Sequence, residues 1–356
     1  MDLHIDGRTI GLGHPTYFIA DIAANHDGDL ERAKSLIWLA KEAGADAAKF
    51  QHFHATKIVS DFGFRKLNDN ASHQSSWKKS VVEVYEDASV PDDWTPTLKS
   101  ECDLAGITFF SSPYDFDAID ALDPFVPAYK IGSGDIDWLE ELEFIAKKGK
   151  PVLIATGAAS LSDVAAAMTT LRGHTDQIVL MQCNTNYTAD PTNFDHLHLN
   201  VLKTYSAIWP DVVLGLSDHT HGPAAVLGAV ALGARVIERH FTDDNNRVGP
   251  DHKFALDPAA WRDMVDQTRL LERALGSTEK FVTGNEQASS IVQRRCVRAS
   301  RPLSRGHRIT RADLDVLRPA TPGAIKPSEI DLVLGKVLTS DLESGQDVRW
   351  THLTDG

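Results

Sequence analysis

From about residue 16 to about 276 the chain alternates short apolar or β-branched runs with longer segments whose apolar positions recur at helical spacing. The runs YFIADIA (17–23), DAAKFQ (46–51), ITFFSS (107–112), AYKIGS (128–133), PVLIAT (151–156), QIVLMQC (177–183), VVLGL (212–216) and RVIERHF (235–241) predict eight strands. Between them lie amphipathic segments such as DLERAKSLIWLAKEAG (29–44), where Leu30, Ala33, Leu36, Ile37 and Ala40 share one face before Gly44 ends the helix. Strands buried on both faces read as continuous apolar runs, and regular alternation of strand and helix implies a parallel sheet. Eight such units in about 250 residues predict an α/β fold, a (β/α)8 TIM barrel. The rival is a doubly wound open sheet. Its usual companion, the GxGxxG fingerprint, is missing from the first βα turn, AANHDGD.

The pattern changes after LLERALGS (270–277). A polar segment, TEKFVTGNEQASSIVQRR, leads into a tail punctuated by Pro and Gly, with short runs such as DVLRP and KVLTSDL, the mark of a small β-rich module. The predicted organisation is a barrel over 1–277, a linker over 278–292 and the small module over 293–356. Charge follows the same division: residues 293–356 carry 11 Lys and Arg against 8 Asp and Glu, which leaves −17 on the rest of a chain whose total is −14. That balance argues against nonspecific nucleic-acid binding. Three widely spaced cysteines, Cys102, Cys183 and Cys296, form neither a disulfide framework nor a CxxC metal site. The N-terminus lacks the basic-then-apolar order of a signal peptide, and no apolar run reaches membrane-spanning length. The expected setting is cytoplasmic, with no membrane partner.

In a barrel of this kind the active site lies at the C-terminal ends of the strands. The polar residues there are Asp21, Lys49, Gln51, Ser112, Lys130, Ser133, Thr156, Asn186, Tyr187, Ser217, His219 and His240. Each alone is as readily a solvated surface group; their convergence on one face points to a ligand. Lys49 and Lys130 sit inside apolar strands, where an unpaired ammonium is costly, so they call for an anion. With Ser112, Ser133 and Ser217 they suit a cradle for phosphate and carboxylate. A Schiff-base lysine is the competing chemistry. His219 and His240 end adjacent strands, close enough to share one divalent ion with open positions left for substrate. His221 is a helix-start residue outside that shell, and His52 and His54 have the parity that faces away from Lys49 and Gln51. Asp251, in the polar loop FTDDNNRVGPDHKF (241–254), is within reach of a sugar hydroxyl.

The motifs IADIAANHDGDLERAKSLIWLAKEAGADAAKFQ, FFSSPYD, YKIGSGD, GLSDHT and ERHFTDD…GPDHKF, in that order, resemble the sialic acid synthase family, the phosphoenolpyruvate-dependent N-acylneuraminate and nonulosonate synthases. The tail RRCVRASRPLSRGHRITRADLDVLRPATPGA resembles the SAF (antifreeze-like) domain that follows the barrel in those enzymes. The resemblance implies condensation of phosphoenolpyruvate with the open-chain aldehyde of an N-acylated hexosamine, giving a nine-carbon 2-keto acid and phosphate. It implies that Lys49, Ser112, Lys130, Ser133, Thr185 and Ser217 bind phosphoenolpyruvate, and that Gln51, Tyr114, Asp135, Tyr187 and Asp251 face the sugar. It further implies that His219 and His240 hold Mn²⁺ or Mg²⁺, and that Asp21, Lys49, Lys130 and the two histidines are catalytic. Arg318, in VLRPATPG, matches the SAF-domain arginine that reaches the N-acyl group in a partner subunit's site, which implies a domain-swapped homodimer.

Departures from the family pattern fall mainly on the acceptor side. Asp21 and Asp135 replace glutamates, Ala155 replaces a serine, and CNTNYTADP (183–191) differs from the usual CTNIYP forms. The insert at 55–94 is expected to shape the acceptor pocket. A phosphorylated acceptor needs an extra cation there, for which Arg65, Lys66, Lys78 and Lys79 are the candidates. The alternatives left open are a related synthase using another aldose, a Schiff-base aldolase or lyase, and a noncatalytic sugar-binding barrel.

Overall fold

The computed structural model describes residues 2–67, 79–188 and 190–356. It divides into two compact units, Met1–Gly276 and Ser277–Gly356. A hairpin of β1 (Leu3–Ile5) and β2 (Arg8–Ile10) opens the first unit. Its turn residues Asp6 and Gly7 both take positive φ, 50° and 74°, which is what a two-residue hairpin turn of the primed type requires.

All eight predicted runs are strands: β3 (Tyr17–Asp21), β4 (Ala47–His52), β5 (Thr108–Pro113), β6 (Tyr129–Ile131), β7 (Val152–Ala155), β8 (Ile178–Cys183), β9 (Val213–Asp218) and β10 (Ala234–His240). They pair in parallel in the order β5-β4-β3-β10-β9-β8-β7-β6. β5 and β6 lie side by side without a ladder between them among the described residues, so the barrel is nearly closed. Helices such as Leu30–Glu42 and Pro258–Leu275 follow the strands.

Alternation along each strand sorts the side chains into two cores. Phe18, Ala20, Ala48, Phe50, Phe109, Ile131, Ile154, Leu180 and Ile237 point outward against the apolar stripes of the helices. Tyr17, Ile19, Ala47, Phe110, Ala128, Leu153, Val179, Met181, Val213 and Val236 point inward, and Leu3, Ile5 and Ile10 of the hairpin join them. One end of the barrel interior is thereby packed with hydrocarbon. The same inward parity, carried two or four residues further along each strand, delivers polar side chains to the other end.

The second unit pairs β11 (Cys296–Ala299) with β12 (Leu314–Leu317) and β13 (Val337–Leu338) with β14 (Leu353–Thr354), both antiparallel, around Val297, Ile309, Leu314, Val333, Leu338 and Val348. Asp313 ties its turns together, accepting from Thr310 N at 2.9 Å and Arg301 at 2.7 Å and contacting His307 Nε2 at 2.9 Å. The hydrogen bond from His307, with those from Thr310 and Arg301, holds its carboxyl well below the usual carboxylate range. The helix Gln287–Val292 is fastened to this unit by Ala320 N donating to Ile291 O at 2.9 Å.

Candidate active site

Inward parity brings Asp21 from β3, Lys49 and Gln51 from β4, Ser112 from β5, Lys130 from β6, Ser217 from β9, and Glu238 and His240 from β10 to the C-terminal ends of the strands. Lys49 Nζ lies 2.7 Å from Asp21 Oδ2 and 3.3 Å from Ser112 Oγ, and Gln51 Nε2 donates to the same Asp21 oxygen at 3.1 Å. Lys130 Nζ lies 3.3 Å from Glu238 Oε1, which also accepts from Ser217 Oγ at 3.2 Å. Lys49, Asp21, Lys130 and Glu238 are all buried. The anion that each buried lysine calls for is supplied in the first instance by a carboxylate of the chain itself, because a buried ammonium without one is too costly.

Those pairings fix the charge states. Burial opposes a charge on Lys49, but Asp21 and Glu238 outweigh it and raise its pKa. Burial also works against Glu238, yet Lys130 and Lys49 bring it down to about 2. Burial lifts Asp21 above its ordinary range; Lys49 pulls against this and Glu238 adds to it. An amine held as ammonium is a poor Schiff-base nucleophile, so the Lys49 environment favours anion binding over imine chemistry.

His219 and His240 face one another with ring centroids 5.4 Å apart. Phe254 packs edge-on to both, at 5.8 and 4.8 Å, and Tyr187 lies 4.4 Å from His219. His219 Nδ1 sits 2.9 Å from Asn184 O; a carbonyl only accepts, so Nδ1 carries the proton and Nε2 keeps its lone pair. Burial, reinforced by His240, lowers His219 to about 4, and burial lowers His240 as well. Two neutral imidazoles are what metal binding demands. His240 Nδ1 is buried without a hydrogen bond among the described residues, 3.8 Å from Asp251 Oδ2, while its Nε2 is 3.7 Å from Asp21 Oδ2. Such an orphaned nitrogen fits a metal ligand. Among the described residues no three His, Cys, Asp or Glu side chains gather closely enough to enclose an ion. His219 and His240 are the residues here that would hold a metal.

Beside the histidines lies a cavity of about 370 Å³. It is lined by Gln51, Ser133, Asp135, Tyr187, His240 and Asp251, by Phe53 and Pro250, and by Ile58, Val84, Tyr85 and Ala88 of the insert. Tyr114 lines it too, edge-on to Phe53 at 5.9 Å. Ser133 Oγ accepts from Gly157 N at 2.9 Å, and Thr185 Cγ2 would lie 2.4 Å from a Cβ at Gly157, so only glycine lets Thr185 and Ser133 approach this closely. Burial, opposed by Lys130, pushes Asp135 up to about 6.

Behind Asp135, Glu141 is 1% exposed with Oε1 unpartnered among the described residues. Burial, then the charges of Asp135 and Asp115, push its carboxyl up to about 8. A carboxyl raised in the folded state contributes stability that is fully present below the unfolded pKa and is lost as pH rises through the folded one. Between pH 5 and pH 9, chemical denaturation is expected to show wild type losing stability relative to Glu141→Gln, at about 1.4 kcal/mol per pH unit up to pH 8. A pH-independent difference between the two proteins would show that Glu141 titrates normally.

Other sequence candidates lie elsewhere. Thr156 Oγ1 donates to Met181 O at 3.0 Å and accepts from Tyr205, a structural role. His52 is buried outside the barrel between Ser111 and Thr95, at 2.7 and 2.8 Å, and His54 meets Asp115 at 2.9 Å, as their parity requires. Arg318 is exposed in the second unit, just past β12. Lys78 lies outside the described residues. Glu238 and Phe254 were not singled out from the sequence. The alternation that selects His240 also selects Glu238 two residues earlier, but the run RVIERHF hides it by looking uniformly buried.

Residues 36–280 match the NeuB family and residues 294–354 match the SAF domain. The chain belongs to the NeuB family. It is 35% identical to the N,N'-diacetyllegionaminic acid synthase of Legionella pneumophila, with 96% of each chain covered. It is 33% identical to the human N-acetylneuraminate-9-phosphate synthase over 96% of this chain and 94% of that one. Among solved structures, the N-acetylneuraminic acid synthetase of Leptospira borgpetersenii, crystallised with citrate, superposes with a TM-score of 0.71 at 27% identity, covering 81% of this chain and 95% of that one. These relatives are named as synthases of nonulosonic acids, and this chain carries the NeuB-family barrel followed by a SAF domain. No helix among the described residues is long and apolar enough to cross a membrane.

Proposed function

We propose that this NeuB-family chain condenses phosphoenolpyruvate with the open-chain aldehyde of an N-acylated hexosamine, in the cytoplasm, giving a nonulosonic acid and phosphate. C3 of phosphoenolpyruvate forms the new bond to the aldehyde carbon, whose oxygen takes up a proton. Water adds at C2, and the tetrahedral carbon expels phosphate to leave the 2-keto acid. The observation that supports this reading is the pair of buried lysine–carboxylate couples set beside two neutral histidines at the barrel mouth.

Lys49 and Lys130, with Ser112, Ser133, Thr185 and Ser217, would receive the phosphate and carboxylate of phosphoenolpyruvate. Fixed, buried charges of this kind need no reorganisation as charge shifts during reaction. Asp21 and Glu238 keep the two ammonium groups in place and limit the net charge of the site before substrate arrives. Gln51, Tyr114, Asp135, Tyr187 and Asp251 line or face the cavity and would hydrogen-bond the sugar. Mn²⁺ or Mg²⁺ held by His219 and His240 would supply Lewis-acid polarisation of the aldehyde oxygen.

The test is phosphate release by the metal-reconstituted protein given phosphoenolpyruvate and N-acyl hexosamines, with mass analysis of the product. A nine-carbon keto acid confirms the reading; no release with any sugar overturns it. By its resemblance to the SAF-domain arginine, Arg318 would touch the N-acyl group across a domain-swapped homodimer. Arg318→Ala is then expected to raise the acceptor KM about tenfold while leaving the phosphoenolpyruvate KM nearly unchanged, the loss of one charge-assisted hydrogen bond. Equal effects on both would remove that role.

A further inference from the structure

We infer that Asp27 is a positioning residue of the active site that acts through Asp251, a role that rests on the synthase reading and deepens it. Asp251 lines the cavity, its Oδ2 3.8 Å from His240 Nδ1 and accepting from Ala24 N at 3.3 Å. It ends the short stretch Val248-Gly249-Pro250-Asp251 in the loop between β10 and the helix Pro258–Leu275. A loop does not by itself hold a carboxylate in one place. One side chain from a different loop, between β3 and the helix Leu30–Glu42, grips this stretch at both ends. Asp27 Oδ1 accepts from His252 Nε2 at 2.9 Å, while Oδ2 accepts from Arg247 Nε at 2.8 Å and lies 2.7 Å from Arg247 Nη2. Within the stretch, a Cβ at Gly249 would meet the His252 ring at 2.7 Å, so only glycine lets the chain pass this close.

The groups that hold Asp27 are themselves fixed. His252 is buried, with Nδ1 2.7 Å from Thr242 Oγ1 and its backbone carbonyl accepting from Asn245 Nδ2 at 2.8 Å. A carboxylate only accepts, so His252 Nε2 carries the proton it shares with Asp27. Arg32 reaches Asp27 Oδ2 at 3.3 Å, Asn25 O at 2.8 Å and Asp243 Oδ2 at 2.7 Å, which joins the same two loops a second time. Stability is a poor reason for the Asp27–Arg247 pair, whose side chains are 23% and 42% exposed, because ion pairs that exposed contribute little. What the pair fixes is direction. Asp27 is not among the residues lining the cavity, whereas Asp251 is. A carboxylate that receives a sugar hydroxyl must be held closely, since misplacing a reacting partner by about 1 Å can cost about a hundredfold in rate.

The experiment is a double-mutant cycle in kcat/KM for the acceptor, measured on wild type, Asp27→Ala, Asp251→Ala and the double variant with manganese and saturating phosphoenolpyruvate. The acceptor is whichever of N-acetylmannosamine, its 6-phosphate and 2,4-diacetamido-2,4,6-trideoxyhexose wild type turns over fastest. Asp27→Ala is expected to lower kcat/KM at least about tenfold when Asp251 is present and less than about twofold when it is absent, because a residue that acts through another then has nothing to act on. Its KM for phosphoenolpyruvate is expected to stay within about twofold of wild type. Arg247→Ala frees one end of the stretch from an exposed position and is expected to cost about threefold, with the same dependence on Asp251. Thermal unfolding reports whether each variant is folded; if Asp27→Ala is not, Arg247→Ala decides by the same criterion. A loss of equal size in both backgrounds, an unchanged kcat/KM in folded Asp27→Ala or in Asp251→Ala, or an equal rise in both KM values overturns the inference and leaves the synthase reading standing. Turnover of none of the sugars by wild type overturns the synthase reading itself, and the inference falls with it.

Discussion

His240→Ala is expected to lower kcat for phosphoenolpyruvate-dependent phosphate release by about 10³-fold, and to weaken manganese binding, in a protein that remains folded. The magnitude follows from the several kcal/mol of charge stabilisation a Lewis acid provides, at about 1.4 kcal/mol per decade of rate. His240 contributes a neutral imidazole with an unbonded Nδ1, and its ring is held between Phe254, Tyr187 and His219. Removing it leaves the inward hydrocarbon core beneath untouched, so the unfolding temperature should stay within a few degrees. An unaltered rate, measured after chelation and reconstitution with manganese, would take the histidine pair out of the mechanism.

Glu238→Ala carries the largest expected effect on stability. Lys130 is buried with Glu238 Oε1 at 3.3 Å as its carboxylate, and losing that partner strands a buried ammonium. The expected cost is about 3–5 kcal/mol, read by chemical denaturation at pH 7. Charge, and not cavity formation, should dominate: Glu238→Gln keeps the shape and is expected to lose a similar amount. The double variant Lys130→Met with Glu238→Met removes both charges and is expected to recover most of the stability while remaining without activity. If either single variant loses less than about 1 kcal/mol, the pair is not the energetic unit described here.

The departure of Asp21 from the family's glutamate also acquires a physical reading. The shorter side chain still reaches three groups, Lys49 at 2.7 Å, Gln51 at 3.1 Å and His240 at 3.7 Å. It touches the lysine couple directly and the histidine pair at longer range, so shortening has not detached it from the site.

Much of the fold was legible because buried parallel strands and amphipathic helices leave strong periodic signals. Eight runs predicted eight strands, and Leu36, Ile37 and Ala40 fell on the buried helix face as their spacing requires. The hairpin β1-β2 was overlooked: three-residue strands are too short to register as a pattern, although Asp6-Gly7 is a recognisable turn signal. Within the site, strand-end position sufficed to nominate Asp21, Lys49, Lys130, His219 and His240, since the inward or outward sense of each follows from counting by two.

What the sequence by itself determined was therefore the architecture and most of the polar groups at the barrel mouth, Glu238 excepted, both consequences of local periodicity. Which group meets which was decided only by the tertiary structure. The partners Lys49–Asp21 and Lys130–Glu238 come from strands separated by 28 and 108 residues, and no short-range pattern encodes a contact across a barrel. The same holds for the acceptor cavity. The insert was expected to shape the acceptor pocket, but that Ile58, Val84 and Tyr85 are the residues lining it, together with Asp135 and Asp251 from loops beyond β6 and β10, follows only from the fold. Periodicity is set by the backbone's own geometry, whereas a pocket's charge balance depends on which distant side chains the closed sheet brings within a few ångströms.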